Sequence, residues 1–176
     1  MRIINKDQRV GVFIDIQNLY HSARNLYKDN RVNFRELLKE TLADRKLIRA
    51  VGYVVKSETA LGEDSFFEAL NKIGIELRSK DLQIYPGGVK KADWDVGLTV
   101  DAIRMANSLD VVVIASGDGD FVPLVEYLKW GLGRQVEIAA FLKNTSSRLR
   151  ESADYFINLE GIPKLIIKKD ARAKNI

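Results

Sequence analysis

The residues of this chain best suited to chemistry are aspartates placed where predicted strands and helices meet. Asp15 ends the apolar run VGVFID, and Asp118 and Asp120 follow the run VVVIA in the segment SGDGD. Asp95 stands at a predicted helix start, in KKADWDVGL. Carboxylates brought together repel one another unless a cation neutralises them. Mg²⁺ and Mn²⁺ prefer oxygen ligands and often bind substrate phosphate as well. The four aspartates therefore predict a metal site that acts on a phosphate-bearing substrate.

Each aspartate also has a plainer interpretation. An aspartate at a strand end or helix start is most often a capping or turn residue, and SGDGD alone fits a tight turn. The carboxyl ends of strands in an open α/β sheet nevertheless meet at one crevice. The joint placement of the aspartates at such positions favours the metal site.

Three further polar residues are candidates for supporting this site. Asn18 follows Asp15 by one helical turn, where its amide could orient water or phosphate or simply begin a helix. Ser116 could donate a hydrogen bond to a metal ligand or cap the turn that follows it. Asp101 lies on the apolar stripe of a predicted helix, so it is either a supporting group or a buried polar residue. We expect a supporting role for Asp101.

The composition excludes several other chemistries. The 176 residues contain no cysteine, which excludes disulfides, thiolate metal sites and thiol nucleophiles. His21 is the only histidine, so a histidine metal cage is excluded. The first residues and the longest apolar runs resemble neither a signal peptide nor a membrane span. We therefore expect a cytoplasmic protein with no membrane association.

The order of predicted elements indicates an α/β fold. Strands are predicted over 10–16, 48–55, 75–78, 82–85, 111–115, 136–141 and 155–159, and helices over 17–27, 34–43, 64–72, 94–108, 121–130 and 146–152. Alternating strands and helices favour parallel pairing through right-handed crossovers. We predict a three-layer α/β/α sandwich with about five mainly parallel strands, formed by residues 1–167, and a basic tail over 168–176.

Four segments together resemble a known family. They are FIDIQNL (13–19), KKADWDVGLTVDA (90–102), VIASGDGDFVPLVEYLKWG (113–131) and TSSRLRESADYFINL (145–159). In these segments the chain resembles the LabA-like branch of the NYN domain family, within the PIN-like nuclease superfamily. The resemblance implies a Rossmann-like fold and metal-dependent endonucleolytic cleavage of RNA. It places the family's acidic positions on Asp15, Asp95, Asp118 and Asp120, and the asparagine that follows the first of these aspartates on Asn18.

This resemblance also directs attention to basic residues near the motifs. An anionic substrate needs cations on both sides of the cleaved bond, and a helix start supplies backbone amides to phosphate. The residues predicted to make such contacts are Lys90, Lys91, Lys143, Ser146, Arg148 and Arg150. Their plainer interpretation is a solvated surface.

The predicted function is hydrolysis of RNA phosphodiester bonds with Mg²⁺ or Mn²⁺. RNA is the expected partner, DNA is a possible one, and a homodimer is a further possibility. The first alternative is a non-catalytic RNA-binding or regulatory module that retains the acidic pocket. The second is a small-molecule phosphohydrolase with Asp15 as nucleophile, which would want another aspartate at the position of Gln17.

Overall fold

The computed structural model of the chain describes residues 2–28, 31–56, 63–81, 83–84, 90–91 and 93–168. The predicted basic tail lies outside the described residues, apart from Lys168. In chain order the elements are β1 (Arg9–Asp15), α1 (Ile16–Tyr27), β2 (Arg31–Val32), α2 (Phe34–Leu42), β3 (Lys46–Lys56), α3 (Glu63–Lys72), β4 (Ile75–Asp81), β5 (Gln83–Ile84), β6 (Lys90–Lys91), α4 (Asp95–Met105), β7 (Val111–Ala115), α5 (Val122–Glu126), β8 (Gln135–Ala140), α6 (Ser147–Ser152), β9 (Tyr155–Asn158) and β10 (Ile166–Ile167).

The described residues form a parallel sheet of six strands in the order β4-β3-β1-β7-β8-β9. Numbered among themselves along the chain, these strands follow the order 3-2-1-4-5-6 of the Rossmann fold. The prediction of a mainly parallel α/β sheet is confirmed, with six strands rather than about five. The direction of winding reverses between β1 and β7, where such folds have a crevice at the carboxyl ends of the strands.

Helices cover both faces of this sheet, which gives the predicted three layers. One apolar cluster contains Leu19 of α1, Leu37 of α2 and Leu70 of α3. The other contains Leu98 of α4, Val125 of α5 and Leu149 of α6. Side chains of a strand alternate between the two faces, so a strand covered on both faces reads as one continuous apolar run. That is why β1 and β7 are recognisable from the sequence.

Local signals set several helix ends. An asparagine directly before a helical pattern is a typical cap, and the side chain of Asn33 accepts hydrogen bonds from the amides of Arg35 and Glu36 at the start of α2. A glycine typically follows a helix in a left-handed conformation, and Gly74 follows α3 with φ of 90°.

The structure differs from the prediction in its short elements. The two-residue strands β2 and β10 pair antiparallel, and so do β5 and β6. The strand β5 falls within the strand predicted over 82–85. Elements of two residues show no periodicity, so the sequence does not reveal β2, β6 and β10. The helix predicted over 121–130 is a 3₁₀ turn, then the short helix α5 with Pro123 in its first turn, then a π-helical turn over Tyr127–Gly131. Among the described residues, no helix combines the length and hydropathy needed to cross a membrane.

A buried ion-pair network joins the amino end of β8 to the start of the chain. Glu137 is fully buried, and both its carboxylate oxygens accept hydrogen bonds from Arg45, at 3.0 and 2.8 Å. Arg2 donates to the same two oxygens at 3.3 and 2.9 Å. Burial by itself would raise the pKa of Glu137, but the hydrogen bonds from Arg45 and Arg2 outweigh burial and hold that pKa below its usual value.

We expect Glu137→Gln to destabilise the fold by about 3 to 5 kcal/mol near neutral pH, because it leaves the Arg45 charge buried without a counter-ion. A carboxyl with a lowered folded-state pKa stabilises the fold above its unfolded-state pKa, and this contribution is lost as pH falls through the folded-state value. The difference between wild type and variant should therefore narrow in acid. Urea unfolding across pH measures both effects. Glu76→Gln, in an exposed pair with Arg49, is the control and should cost under about 1 kcal/mol.

Candidate metal centre

The four predicted aspartates lie at the crevice beside β1. Ile14 of β1 pairs with Ala115, the last residue of β7. Asp15 directly follows Ile14, and Ser116 directly follows Ala115. Both positions therefore stand at the same carboxyl edge, at the point where the order of strands reverses. Polar side chains from α1, from α4 and from the loop after β7 can meet there.

Asp15 is fixed in this crevice by two hydrogen bonds. As the cap of α1, it accepts the amide of Asn18 on Oδ1 at 3.0 Å. Its Oδ2 accepts the hydroxyl of Ser116 at 3.2 Å. Burial raises the pKa of Asp15, these two hydrogen bonds oppose the rise, and the negative charge of Asp118 adds to it.

Asn18 and Ser116 tie the loop after β7 to α1. The side-chain oxygen of Asn18 accepts the Gly117 amide at 3.0 Å, and the Ser116 hydroxyl accepts the Asp118 amide at 3.2 Å. The Asp118 carboxylate in turn accepts the Asp120 amide at 3.0 Å. Two of the three predicted supporting residues, Asn18 and Ser116, thus link α1 and Asp15 to the loop that carries Asp118 and Asp120.

Three carboxylates converge at the mouth of the crevice. Among the described residues, Asp95, Asp118 and Asp120 each offer an oxygen within 4.8 Å of the others. A cation that binds oxygen at about 2.0 to 2.6 Å holds its ligands no more than about 5 Å apart. The spacing and the all-oxygen donor set both fit a hard divalent cation. Asp15 lies outside this compact group of three.

The charge of this group is not balanced within the described protein. Its three carboxylates take part in none of the ion pairs formed by the described residues. Burial raises the pKa of Asp95 to about 6, and the charges of Asp118, Asp15, Asp93 and Asp120 contribute to the same rise. The four predicted aspartates therefore share one electrostatic environment, although only three of them form the compact group.

Trp94 positions Asp95, a role that was not predicted from the sequence. The indole of Trp94 donates to the Val54 carbonyl at 2.7 Å, and its ring lies 5.4 Å from that of Tyr53. Gly97 makes room for the indole, because a Cβ at Gly97 would lie 2.5 Å from the ring atom Cε3. The signal for this arrangement is the spacing of tryptophan and glycine on either side of Asp95.

Asp101 supports this arrangement from a distance. Its carboxylate accepts the Tyr53 hydroxyl at 3.0 Å and lies 3.6 Å from Nε of Arg78. Burial, followed by the charge of Asp101 and this hydrogen bond, raises the pKa of Tyr53, so the phenol stays protonated. Asp101 is therefore a buried polar residue paired with Tyr53 of β3 and Arg78 of β4, and the Tyr53 ring contacts Trp94 in turn.

The residues predicted to bind phosphate are only partly assembled around the crevice. Ser146 lies against it, with its amide donating to the Gly117 carbonyl at 3.0 Å. Lys143, Arg148 and Arg150 are exposed on and just before α6. Lys90 and Lys91 form β6, and their side chains lie outside the described part of the chain.

We expect Asp95→Asn to stabilise the metal-free protein above about pH 6 by about 1 kcal/mol, after allowance for solvent screening. A carboxyl with a raised folded-state pKa favours folding most below its unfolded-state pKa, and this contribution is lost as pH rises through about 6. The advantage of the variant should therefore vanish near pH 4. Thermal unfolding in a chelator across pH tests this. Asp93→Asn, at an exposed neighbour, should change stability much less.

Known proteins resemble this chain over nearly its whole length. "Low amplitude and bright protein LabA" of Synechococcus elongatus is 24% identical over 94% of this chain and 91% of its own. The crystal structure of a protein of unknown function from Vibrio parahaemolyticus matches with a TM-score of 0.84 and 26% identity, over 94% of this chain and 100% of that one. The family model described as NYN domain matches residues 9–160, a range that includes every aspartate of the crevice. The chain therefore belongs to the NYN domain family.

Proposed function

We propose that this protein is a metal-dependent ribonuclease that hydrolyses phosphodiester bonds of RNA with Mg²⁺ or Mn²⁺. The observation that carries the proposal is the convergence of Asp95, Asp118 and Asp120 within 4.8 Å, without a cationic partner among the described residues. Structural carboxylates are normally paired or fully hydrated, whereas a carboxyl whose pKa is raised by burial and by neighbouring charges, as that of Asp95 is, is typical of functional sites. Membership of the NYN domain family, within the PIN-like nuclease superfamily, supports the same reaction class.

The three clustered carboxylates would hold the cation. A bound Mg²⁺ or Mn²⁺ supplies charge neutralisation for the phosphate and a lower pKa for an attacking water. Asp95 is positioned by the neighbouring Trp94, whose indole donates a hydrogen bond to the Val54 carbonyl. Asp118 is positioned by its own amide, which donates to the Ser116 hydroxyl. These supports keep the ligands in place before the substrate arrives, which is what catalysis by positioning requires.

Asp15 has a different part in the proposal. Its oxygens already accept hydrogen bonds from Asn18 and Ser116, so it is less free than the other three to turn toward an ion. Its charge nevertheless reaches Asp95. We propose that Asp15 adds negative charge to the metal site and, having a raised pKa, accepts a proton from water better than an ordinary aspartate does.

The proposed substrate is single-stranded RNA, with DNA as the weaker candidate. The exposed cations Lys143, Arg148 and Arg150 lie on the side of the crevice formed by α6, where they can contact phosphates that flank the cleaved bond. Residence in the cytoplasm and formation of a homodimer stay predictions.

We expect Asp118→Asn to lower cleavage of labelled single-stranded RNA in Mn²⁺ or Mg²⁺ by at least about 100-fold. The substitution removes a proposed metal ligand, and even the loss of a residue that only hydrogen-bonds to such a ligand typically costs about 10- to 100-fold. Wild-type product should disappear with EDTA. The same cleavage assay with labelled DNA shows which of the two nucleic acids is cleaved faster. Circular dichroism and thermal unfolding should show that the variant remains folded.

Asp93→Asn is the matched control, since Asp93 is an exposed aspartate two residues from Asp95. It should keep cleavage within a few-fold of wild type. Equal turnover by wild type and Asp118→Asn would contradict the proposal. Binding of RNA with no product in either metal would identify a non-catalytic RNA-binding module instead.

A further inference from the structure

A second cleft lies at the opposite, amino edge of the sheet. It has a volume of about 390 Å³, and its lining includes Lys129, Trp130, Arg134, Asp154 and Tyr155. Arg134 directly precedes β8, and Tyr155 begins β9. The cleft is therefore separated from the acidic crevice by the length of these strands, and the proposed reaction does not use it.

Trp130 gives this cleft a large exposed aromatic surface. Its side chain is 83% exposed, the highest value among the large exposed apolar residues of the described chain. It lies in the π-helical turn Tyr127–Gly131, a rare backbone form that is frequent at functional sites. The ammonium of Lys129 lies 5.7 Å from the centre of the Trp130 ring. An exposed indole beside a cation is suited to stacking on a planar ring.

Two cations of the cleft differ in how they are paired: Lys129 forms an ion pair, whereas Arg134 forms none among the described residues, although its charge acts on Asp110. Lys129 donates to the Ser152 carbonyl at 2.6 Å and lies 3.1 Å from the Asp154 carboxylate, so its charge is balanced. The Nε atom of Arg134 is buried and has no hydrogen-bond partner among the described residues. No hydrogen bond or ion pair among the described residues therefore holds the Arg134 guanidinium, which lines the cleft and can pair with an anionic ligand there.

Helix α6 connects this cleft to the acidic crevice. At its amino end, the Ser146 amide bonds to Gly117 in the crevice loop. At its carboxyl end, the Ser152 carbonyl accepts Lys129 in the cleft. Six residues of helix span only about 9 Å. Arg148 and Arg150 are exposed along this span, so cations and an aromatic ring follow one another away from the acidic crevice.

We propose that the Trp130 cleft is a secondary binding site for single-stranded RNA, which holds nucleotides that flank the bond cleaved at the acidic crevice. A base stacks on Trp130, a phosphate contacts Arg134, and Arg148 and Arg150 contact the phosphates between. This arrangement of aromatic platforms along a cationic path is the general solution for single-stranded nucleic acids. The inference rests on the proposed function for the identity of the ligand.

The experiment measures RNA binding separately from cleavage. Fluorescence anisotropy with Ca²⁺ in place of Mn²⁺ gives the affinity for labelled RNA of about 4 and about 16 nucleotides. We expect Trp130→Ala to weaken binding of the longer RNA about ten-fold and to leave the shorter one unchanged, while Trp130→Phe keeps most of the affinity. Arg134→Gln should lower the slope of log affinity against log salt by about one.

Two exposed residues elsewhere serve as matched controls. Ile48→Ala removes an exposed apolar side chain near the amino end of β3, and Arg35→Gln removes an exposed cation on α2. Both should bind the longer RNA as wild type does. Unchanged affinity in Trp130→Ala would overturn the inference. The inference would also be overturned if Trp130→Ala changed only the oligomeric mass measured by light scattering and not the affinity for RNA. That result would identify the cleft as a surface for a second protein copy.

These outcomes are distinct from failure of the proposed function. If wild type binds the longer RNA through Trp130 but yields no product in Mn²⁺, the secondary binding site is supported and the proposed nuclease activity is contradicted. If wild type cleaves RNA, and Trp130→Ala binds and cleaves the longer RNA equally well, the proposed nuclease activity is supported and the secondary binding site is contradicted.

Discussion

Mutual repulsion among aspartates is the constraint around which the carboxyl edge of this protein is built. Asp95, Asp118 and Asp120 lie within 4.8 Å, and Asp15 is near enough to help raise the pKa of Asp95 to about 6. Such a group destabilises the metal-free fold, so other interactions must hold it together. The apolar faces of the sheet provide that stability, because β1 and β7 are almost entirely buried between two layers of helices.

The supports of the cluster come from elements that are far apart in the chain. Asn18 and Ser116 connect α1 to the loop after β7, while Trp94 fastens the start of α4 to the end of β3. Asp101 reaches the same corner through Tyr53. The segments that carry Asp15, Asp95 and Asp118 are therefore each fixed by a hydrogen bond of their own. A cluster held in this way keeps its geometry despite repulsion, which is the condition for binding a cation without rearrangement.

The two edges of the sheet have different electrostatic characters. At the carboxyl edge, negative charges stand together without cationic partners among the described residues. At the amino edge, the buried charge of Glu137 is matched by Arg45 and Arg2, and the nearby cleft carries the unpartnered Nε of Arg134. Helix α6 runs between the two edges. This combination supports the proposal of an extended anionic ligand, single-stranded RNA, rather than a compact phosphate metabolite.

The sequence alone determined the α/β class, most of the long strands and helices, and the caps at Asn33 and Gly74. These features depend on local patterns, since apolar periodicity and capping chemistry act over a few residues. The sequence also indicated the four aspartates, because each follows a strand or begins a helix. Only the tertiary structure decided that Asp15 is held by internal hydrogen bonds beside the other three, that Trp94 positions Asp95, and that Asp101 faces Tyr53. Those relations depend on hydrogen bonds between residues dozens of positions apart, and the spacing of Trp94 and Gly97 is the one local signal for them in the chain.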